Sequence, residues 1–188
     1  MAAATAPSVV SLGGLLFRHR GWIPVPLAIT ALLPEPAFRW PALACLVAGE
    51  GLRLWAVGHI GRRSRTRGDD VGALVDTGPY AMLRNPLYVG NALLWAAVGG
   101  FAWPAALLLV PAIVLHYAFI VRWEEANLLA QLGTPYADYC RRVSRWIPRT
   151  APSGGSWSAR EAFRSERGTF AVIALAGALL AARWYLSR

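Results

Sequence analysis

The sequence predicts an all-α fold: a polytopic membrane helix bundle with about five transmembrane helices. Hydrophobic residues make up 56% of the 188-residue chain and charged residues only 15%, against roughly 25% charged residues in a typical soluble domain. The apolar residues form five separate segments, and the basic residues, all of them arginine, lie mostly in the polar gaps between those segments. This arrangement is typical of a protein in a lipid bilayer and argues against a nucleic-acid-binding surface.

The apolar segments differ in how well they match the thickness of a bilayer. The first, Gly21 to Leu33, spans about 20 Å as a helix, short of the roughly 30 Å hydrocarbon core. It either extends into the preceding residues or pairs with the next helix as a short hairpin. A tight turn at Trp103-Pro104 separates the third segment from the fourth. The second to fifth segments are Phe38 to Ile60, Pro86 to Phe101, Trp103 to about Trp123, and Thr169 to Leu186.

The positions of the arginines orient the chain. They cluster ahead of the first segment and in the two long polar gaps, residues 61–85 and 124–168. With five spans, all three regions fall on one side of the membrane, which the positive-inside rule assigns to the cytoplasm. We therefore predict a multi-pass integral membrane protein whose working surface faces the cytoplasm.

The chain divides into three parts along its length. Residues 1–60 hold the N-terminal transmembrane helices, residues 61–150 a core with a helical hairpin, and residues 151–188 a linker with the C-terminal helix. The Gly- and Ser-rich residues 151–156 are typical of a flexible connector. We therefore expect the last helix to lie apart from an active site.

The stretch from Leu74 to Gly90, LVDTGPYAMLRNPLYVG, lies where a polar gap meets the third apolar segment. Its glycines permit close approach of a ligand, its prolines fix the local path, and its tyrosines offer flat faces with a hydroxyl group. A membrane protein has little reason to place so much irregular backbone at the bilayer boundary unless that backbone holds a ligand. This stretch is the predicted cofactor loop.

A second informative stretch, RWEEANLLAQLGTPYADY, begins at Arg122. Acidic residues contribute little to membrane orientation, so Glu124 and Glu125 at the end of the fourth segment indicate a site for a cation or an ammonium group. The alternative is a solvated helix end with Glu125 paired to Arg122. Leucines at helical spacing extend the helix beyond the membrane to a glycine, and a further helix that bears tyrosines starts after it.

Two charged residues interrupt the second apolar segment. Glu50 and Arg53 are three residues apart and therefore share one face of a helix. Ionisable groups at membrane depth are costly and usually face a protein interior or a water-filled cavity. They either shape a substrate pocket or form an internal ion pair that holds helices in register. The isolated histidines and the two distant cysteines match no metal or disulfide pattern, so no metal site is predicted.

Taken together, GPYAMLRNPLYVG, the hairpin after it, and EEANLLAQLGTPYADYCRRVSRWIP resemble the isoprenylcysteine carboxyl methyltransferase family. Integral-membrane phospholipid N-methyltransferases are similar at the same places. The resemblance covers Leu74 to Pro148 and implies a membrane methyltransferase that uses S-adenosylmethionine without a Rossmann fold. It also implies a cofactor pocket at the cytoplasmic face, enclosed by the loop before the third helix, the start of that helix and the end of the fourth.

The resemblance carries individual roles to this sequence. A carboxylate suits the α-amino group or the ribose hydroxyls of the cofactor, amides and guanidinium groups suit its carboxylate, and tyrosines and leucines suit its adenine. Arg122 and Glu125 are the candidates for orienting or deprotonating the acceptor, and Glu50 and Arg53 are weaker candidates for contact with the substrate. The residues with implied cofactor contacts are Leu74, Val75, Tyr80, Arg84, Asn85, Pro86, Leu87, Tyr88 and Glu124.

Three positions depart from the family pattern. The family's motif histidine is Asn85 here, which still donates a hydrogen bond but is neither an acid nor a base near neutral pH. A second common histidine is replaced by Gly72, so a contact there must come from backbone. The substrate-handling arginine of the prenylcysteine enzymes corresponds to Ile120, and Arg122 lies about 200° further around the helix. These departures argue against a prenylcysteine carboxylate as substrate more than against methyl transfer.

The predicted function is methyl transfer from S-adenosylmethionine to a membrane lipid or another lipophilic acceptor that enters from the bilayer. A sulfonium donor needs no proton relay, so catalysis rests on positioning and on the exclusion of water. Two alternatives stay open: a membrane reductase that uses NADPH, which the short chain disfavours, and a noncatalytic membrane binding protein. The identity of the acceptor and the oligomeric state are not predicted.

Overall fold

The computed structural model describes residues 9–31, 34–60 and 74–187. Helices are the regular elements of the described residues, which confirms the all-α prediction. The arginines of the first polar gap before Arg84, and Gly72, lie outside the described residues. The helices are α1 Val9–Arg18, α2 Pro24–Thr30, α3 Trp40–Ile60, a short 3-10 helix Pro79–Ala81, α4 Pro86–Phe101, α5 Ala106–Leu132, α6 Thr134–Arg142 and α7 Ala159–Leu186.

Three of the described helices, α3, α5 and α7, are long and apolar enough to cross a membrane. Helix α4, with 16 residues, is apolar but reaches only about 24 Å. These lengths agree with a membrane protein, while the count of five spans and the cytoplasmic orientation stay predictions. Helix α7 begins ten residues earlier than Thr169 because the Ser158 side chain accepts a hydrogen bond from the Glu161 backbone N–H, 3.3 Å away, and caps the helix.

The first apolar segment and the residues before it form two helices separated by a turn. Helix α1 ends at Arg18, and α2 starts at Pro24, so the segment does extend into the preceding residues, but with a turn between its two halves. The Phe17 ring lies 4.6 Å from the Trp123 ring, while Leu27 packs on the cluster that contains Leu109. The pair therefore runs along α5 in the opposite direction.

Helices α3, α4 and α5 form the centre of the bundle. Backbones of α3 and α4 approach closely at Gly49, where a Cβ atom would lie 2.9 Å from the Gly90 carbonyl oxygen. Helix α5 continues past the predicted end of the apolar segment and stops at Gly133, whose φ of 59° suits glycine, and α6 begins directly after it. This hairpin and extension bring the end of α5 back beside the start of α4.

The segment between α6 and α7 is tied to the rest of the fold by backbone hydrogen bonds. Arg84 N–H donates to the Ser144 carbonyl at 2.9 Å, Gly78 N–H to the Ser153 carbonyl at 2.9 Å, and Ser158 N–H to the Gly58 carbonyl at 3.0 Å. The connection therefore holds α7 against α3. The residues expected to form a flexible connector are thus hydrogen-bonded to the fold at Ser153.

Candidate functional site

A cavity of about 1380 Å³ opens between the helices where the cofactor loop, the start of α4 and the end of α5 meet. Helices α2 and α7 form further parts of its wall. The polar side of the cavity carries both charges and amides, and its other walls are largely aliphatic. Its polar lining includes Arg20, Arg53, Asn91, Glu124, Asn127 and Glu166.

A hydrogen bond at Tyr80 attaches the cofactor loop to α6. The Tyr80 side chain is only 7% exposed, and its carbonyl oxygen accepts a hydrogen bond of 2.7 Å from the Tyr139 hydroxyl. The hydroxyl of Tyr80 itself is buried and has no hydrogen-bond partner among the described residues, and Tyr80 is one of the residues that line the cavity. Burial raises the pKa of the Tyr80 hydroxyl far above its usual value, so this group stays protonated and can donate to a ligand.

Gly78 makes the turn that delivers Tyr80 to the cavity. Its φ of 58° lies in the region that favours glycine, and a side chain at this position would collide with the His59 imidazole. The Nδ1 atom of His59 lies 2.9 Å from the Trp55 carbonyl oxygen. His59 therefore packs beneath the loop and does not line the cavity.

A buried network around Glu125 fixes the loop to the end of α5. The Glu125 carboxylate accepts hydrogen bonds from Arg145, with a shortest distance of 2.6 Å, from Arg84 at 3.3 Å and from the Asn85 amide at 3.1 Å. The hydrogen bonds to Glu125 raise the pKa of Arg145. Glu125 is therefore paired across the fold and not with Arg122, which is exposed on another face of α5.

The neighbouring carboxylate, Glu124, turns into the cavity. Its Oε1 atom accepts a hydrogen bond of 2.8 Å from the Tyr88 hydroxyl. The Tyr88 ring in turn packs on Tyr117, with the ring centroids 5.0 Å apart. Glu124 and Glu125 thus face different surroundings, because adjacent positions on a helix differ by about 100° around its axis.

A second polar cluster joins α3 to α7 through Arg53. The Arg53 guanidinium donates to Glu166 at 2.5 Å and to Thr169 at 3.0 Å, and it also reaches the amide oxygen of Asn91. Glu50 lies further away, with 3.7 Å between its Oε2 and the Arg53 Nε. The ion pair between Glu50 and Arg53, one of the two alternatives for these residues, is therefore the more distant part of a cluster whose closest pair is Arg53–Glu166.

The structure brings together the two predicted halves of the site. All nine residues with implied cofactor contacts line the cavity, and so does Arg53. Glu50, Arg122 and Glu125 are absent from its lining. Sequence reasoning missed Arg20 and Glu166, which lie in the first and last parts of the chain. No local signal marks them, because both lie in polar stretches that carry several arginines.

Comparison with known proteins gives one family and two relatives. The chain matches the family model of phospholipid methyltransferases over residues 38–134. The nickel-cobalt-cadmium resistance protein NccN of Alcaligenes xylosoxydans xylosoxydans is 33% identical over 162 residues, which cover 78% of this chain and 72% of the relative. The cobalt-zinc-cadmium resistance protein CzcN of Cupriavidus metallidurans is 33% identical over 144 residues, which cover 73% of this chain and 58% of the relative. No solved structure matches the chain.

Proposed function

Because the chain belongs to the phospholipid methyltransferase family, we propose that it transfers a methyl group from S-adenosylmethionine to a lipophilic or membrane-embedded acceptor. The observation that carries the proposal is the convergence of the cofactor loop and the end of α5 on one cavity. Tyr88 and Glu124 come from these two parts of the chain and are joined by a direct hydrogen bond. The matched range contains both parts.

The residues present suit the chemistry of this cofactor. Glu124 offers a carboxylate to an ammonium group or to ribose hydroxyls. The Tyr80 hydroxyl, which has no partner in the described part of the chain, offers a buried donor. Leu74, Val75 and Leu87 supply an apolar wall for an aromatic base. When bound, S-adenosylmethionine supplies an activated methyl group, and the protein's part is to position it and to exclude water.

The wall formed by α7 suits a lipophilic acceptor. Along this helix the lining residues change from Glu166 and Thr169 to Val172, Ile173 and Leu180. The same face of α7 thus passes from a polar cluster to aliphatic side chains. We assign the polar cluster around Arg53 to the head of the acceptor and the aliphatic stretch to its hydrocarbon part, with the site facing the cytoplasm.

The two catalytic candidates have different surroundings. Glu125 lies in the buried network that holds Arg84 and Asn85, so we assign it the positioning of the cofactor loop. Arg122 is exposed and lies outside the cavity lining. An acceptor that Arg122 orients must therefore approach along the outer face of α5.

Calorimetric titration of the purified protein with S-adenosylhomocysteine and with NADPH tests the proposal. We expect binding of the first and not of the second, because the cavity offers Glu124 and Tyr80 to an amino-acid nucleoside. E124Q should weaken binding about tenfold or more, while E35Q, the same change at an exposed position outside the cavity, should leave it unchanged. Binding of NADPH alone would favour the reductase, and binding of neither would favour a noncatalytic protein.

The acceptor is identified by following labelled methyl groups into the membrane fraction of cells that overexpress the protein. Both relatives carry names of metal-resistance proteins, so the cells should be grown with and without cadmium and cobalt. The E124Q variant serves as the control. A lipid that gains label with the wild-type protein and not with E124Q is the acceptor.

A further inference from the structure

We propose that Arg20 binds the carboxylate of the amino-acid end of the methyl donor, opposite Glu124, which binds the ammonium group of the same end. The inference rests on the proposed function and adds to it a residue from outside the matched range. Arg20 lies in the turn between α1 and α2, where the first apolar segment is broken.

The Arg20 side chain is held beside the part of α5 that carries Glu124. Its guanidinium carbon lies 3.8 Å from the centroid of the Phe17 ring, and its Nη1 atom donates to the Phe17 carbonyl oxygen at 3.4 Å. Phe17 packs with its ring centroid 4.6 Å from that of Trp123, the residue before Glu124. A cation over an aromatic face is a stable arrangement that keeps the remaining N–H groups available.

The other arginines of the cavity are neutralised by the protein. Arg53 is paired with Glu166, and Arg84 is paired with Glu125. Within the described part of the chain, Arg20 forms no salt bridge. Since a guanidinium group carries five N–H donors, Arg20 presents both a charge and donors to the cavity that it lines.

Glu124 is the complementary group. Among the described residues its carboxylate forms no salt bridge, and its assigned partner is the Tyr88 hydroxyl. Arg20 and Glu124 both line the cavity, and the Phe17 ring under Arg20 packs on Trp123, the neighbour of Glu124, so the two charged groups lie near each other. They do not contact each other, and the space between them suits a ligand that carries both charges.

An amino-acid zwitterion has the required pair of charges on adjacent atoms. Its ammonium group satisfies a carboxylate, and its carboxylate matches the planar fork of a guanidinium group. Charges inside a membrane protein are costly unless they are paired. A bound amino-acid end would pair both at once, which neither an uncharged nucleoside nor an apolar acceptor can do.

The test compares two ligands in the absence of acceptor. S-adenosylhomocysteine has the amino-acid end, and 5′-methylthioadenosine lacks it while keeping the nucleoside and the sulfur. Calorimetric titrations should show that R20Q weakens the binding of S-adenosylhomocysteine about tenfold or more and changes that of 5′-methylthioadenosine less than twofold. R20K, which keeps the charge but loses the fork, should lie between R20Q and the wild type. R18Q, at an exposed position outside the cavity lining, is the matched control.

Several results would overturn the inference. One is unchanged affinity of R20Q for S-adenosylhomocysteine, even if methyl transfer falls, because Arg20 would then serve the anionic head of an acceptor. Another is an equal loss for both ligands, which would indicate a damaged fold. If R20Q fails to fold, the R20K variant provides the test. Equal affinity of R20K and the wild type for S-adenosylhomocysteine would contradict binding of the carboxylate by the planar guanidinium group of Arg20. Absence of binding of either ligand by the wild type instead contradicts the proposed function itself.

Discussion

The Tyr88 hydroxyl donates a hydrogen bond of 2.8 Å to Glu124 across 36 positions of the sequence. Tyr88 lies in the first turn of α4, and Glu124 lies near the end of α5. Because α4 and α5 form a hairpin, the start of one and the end of the other meet on the same face of the bundle. Together with the hydrogen bonds from Arg84 and Asn85 to Glu125, this bond links the two stretches that the sequence marks as unusual.

Removal of the Tyr88 hydroxyl should weaken ligand binding. In Y88F, Glu124 loses the donor that orients it, and a hydrogen bond to a charged group contributes about 1.5–3 kcal/mol. We expect the affinity for S-adenosylhomocysteine in calorimetry to fall about tenfold. Y185F removes a hydroxyl from a side chain that is 76% exposed on α7 and should bind as the wild type does. Equal affinities of Y88F and the wild type would contradict a role of Glu124 in the site.

Loss of the Tyr80 hydroxyl should have opposite effects on the stability of the protein and on its affinity for ligand. The hydroxyl is buried and has no hydrogen-bond partner among the described residues. Because an unsatisfied buried group costs about 1–3 kcal/mol, Y80F should raise the thermal midpoint of the ligand-free protein while it weakens the binding of S-adenosylhomocysteine. Y139F should lower the midpoint, because it removes the hydrogen bond to the Tyr80 carbonyl. Thermal unfolding with and without ligand measures both effects. A lower midpoint for Y80F would show that its hydroxyl already has a structural partner.

Loss of the Glu125 charge should be strongly destabilising. E125Q leaves Arg84 and Arg145 without their buried carboxylate, and breaking a buried pair costs about 3–5 kcal/mol. D138N breaks an exposed pair, with Arg141, and should change stability by less than about 1 kcal/mol. The comparison uses thermal unfolding in one detergent. Similar midpoints for the two variants would show that the Glu125 network does not hold the loop.

The Arg53–Glu166 pair should attach α7 to α3. E166M leaves Arg53 with the more distant Glu50 and should lower the thermal midpoint. The double variant R53M/E166M should recover part of the loss, because a carboxylate left alone at Glu50 can be neutralised by protonation, whereas a guanidinium group stays charged. Neither change touches Glu124, so R53M/E166M should bind S-adenosylhomocysteine as the wild type does. A double variant less stable than E166M would rule out this account of the pair.

Asn85 should act as a hydrogen-bond donor to Glu125. N85D places a second carboxylate 3.1 Å from the first and should lower both the thermal midpoint and the affinity for S-adenosylhomocysteine through like-charge repulsion. N85H keeps an N–H donor and should retain more of both properties. Acidification toward pH 4 should restore N85D in part, since protonation removes the repulsion. An N85D protein that behaves as the wild type does at pH 7 would contradict this role.

Local sequence patterns predicted the bounds of a helix well where residues that favour helix ends or turns flank it on both sides. Helix α4 runs from Pro86 to Phe101 as expected, because proline suits the first helical turn and a turn follows the last residue. The start of α7 was missed because residues 159–168 are rich in charge and resemble a polar gap. Their helix depends on the Ser158 cap and on packing against α3, and hydropathy does not report either of these.

The candidate site was predictable only in the parts that lie in the resembling stretches. The nine implied cofactor contacts line the cavity, whereas Arg20 and Glu166 come from helices outside those stretches. Arg20 had the pattern of a topology determinant, and Glu166 lay in the polar gap of residues 124–168. The partner of Glu166 lies 113 positions away at Arg53, and pairing over that separation leaves no local pattern in one sequence.

The helical fold, the membrane setting and the two unusual polar stretches follow from the sequence, because hydropathy, helix periodicity and turn residues act over a few neighbours. The packing of the helices, in contrast, sets which charges are neutralised and which face the cavity. Glu124 and Glu125 are adjacent in sequence, yet one is open to a ligand and the other is closed by arginines. Whether a charged side chain is paired or open to a ligand depends on which groups the helices place within about 4 Å of it.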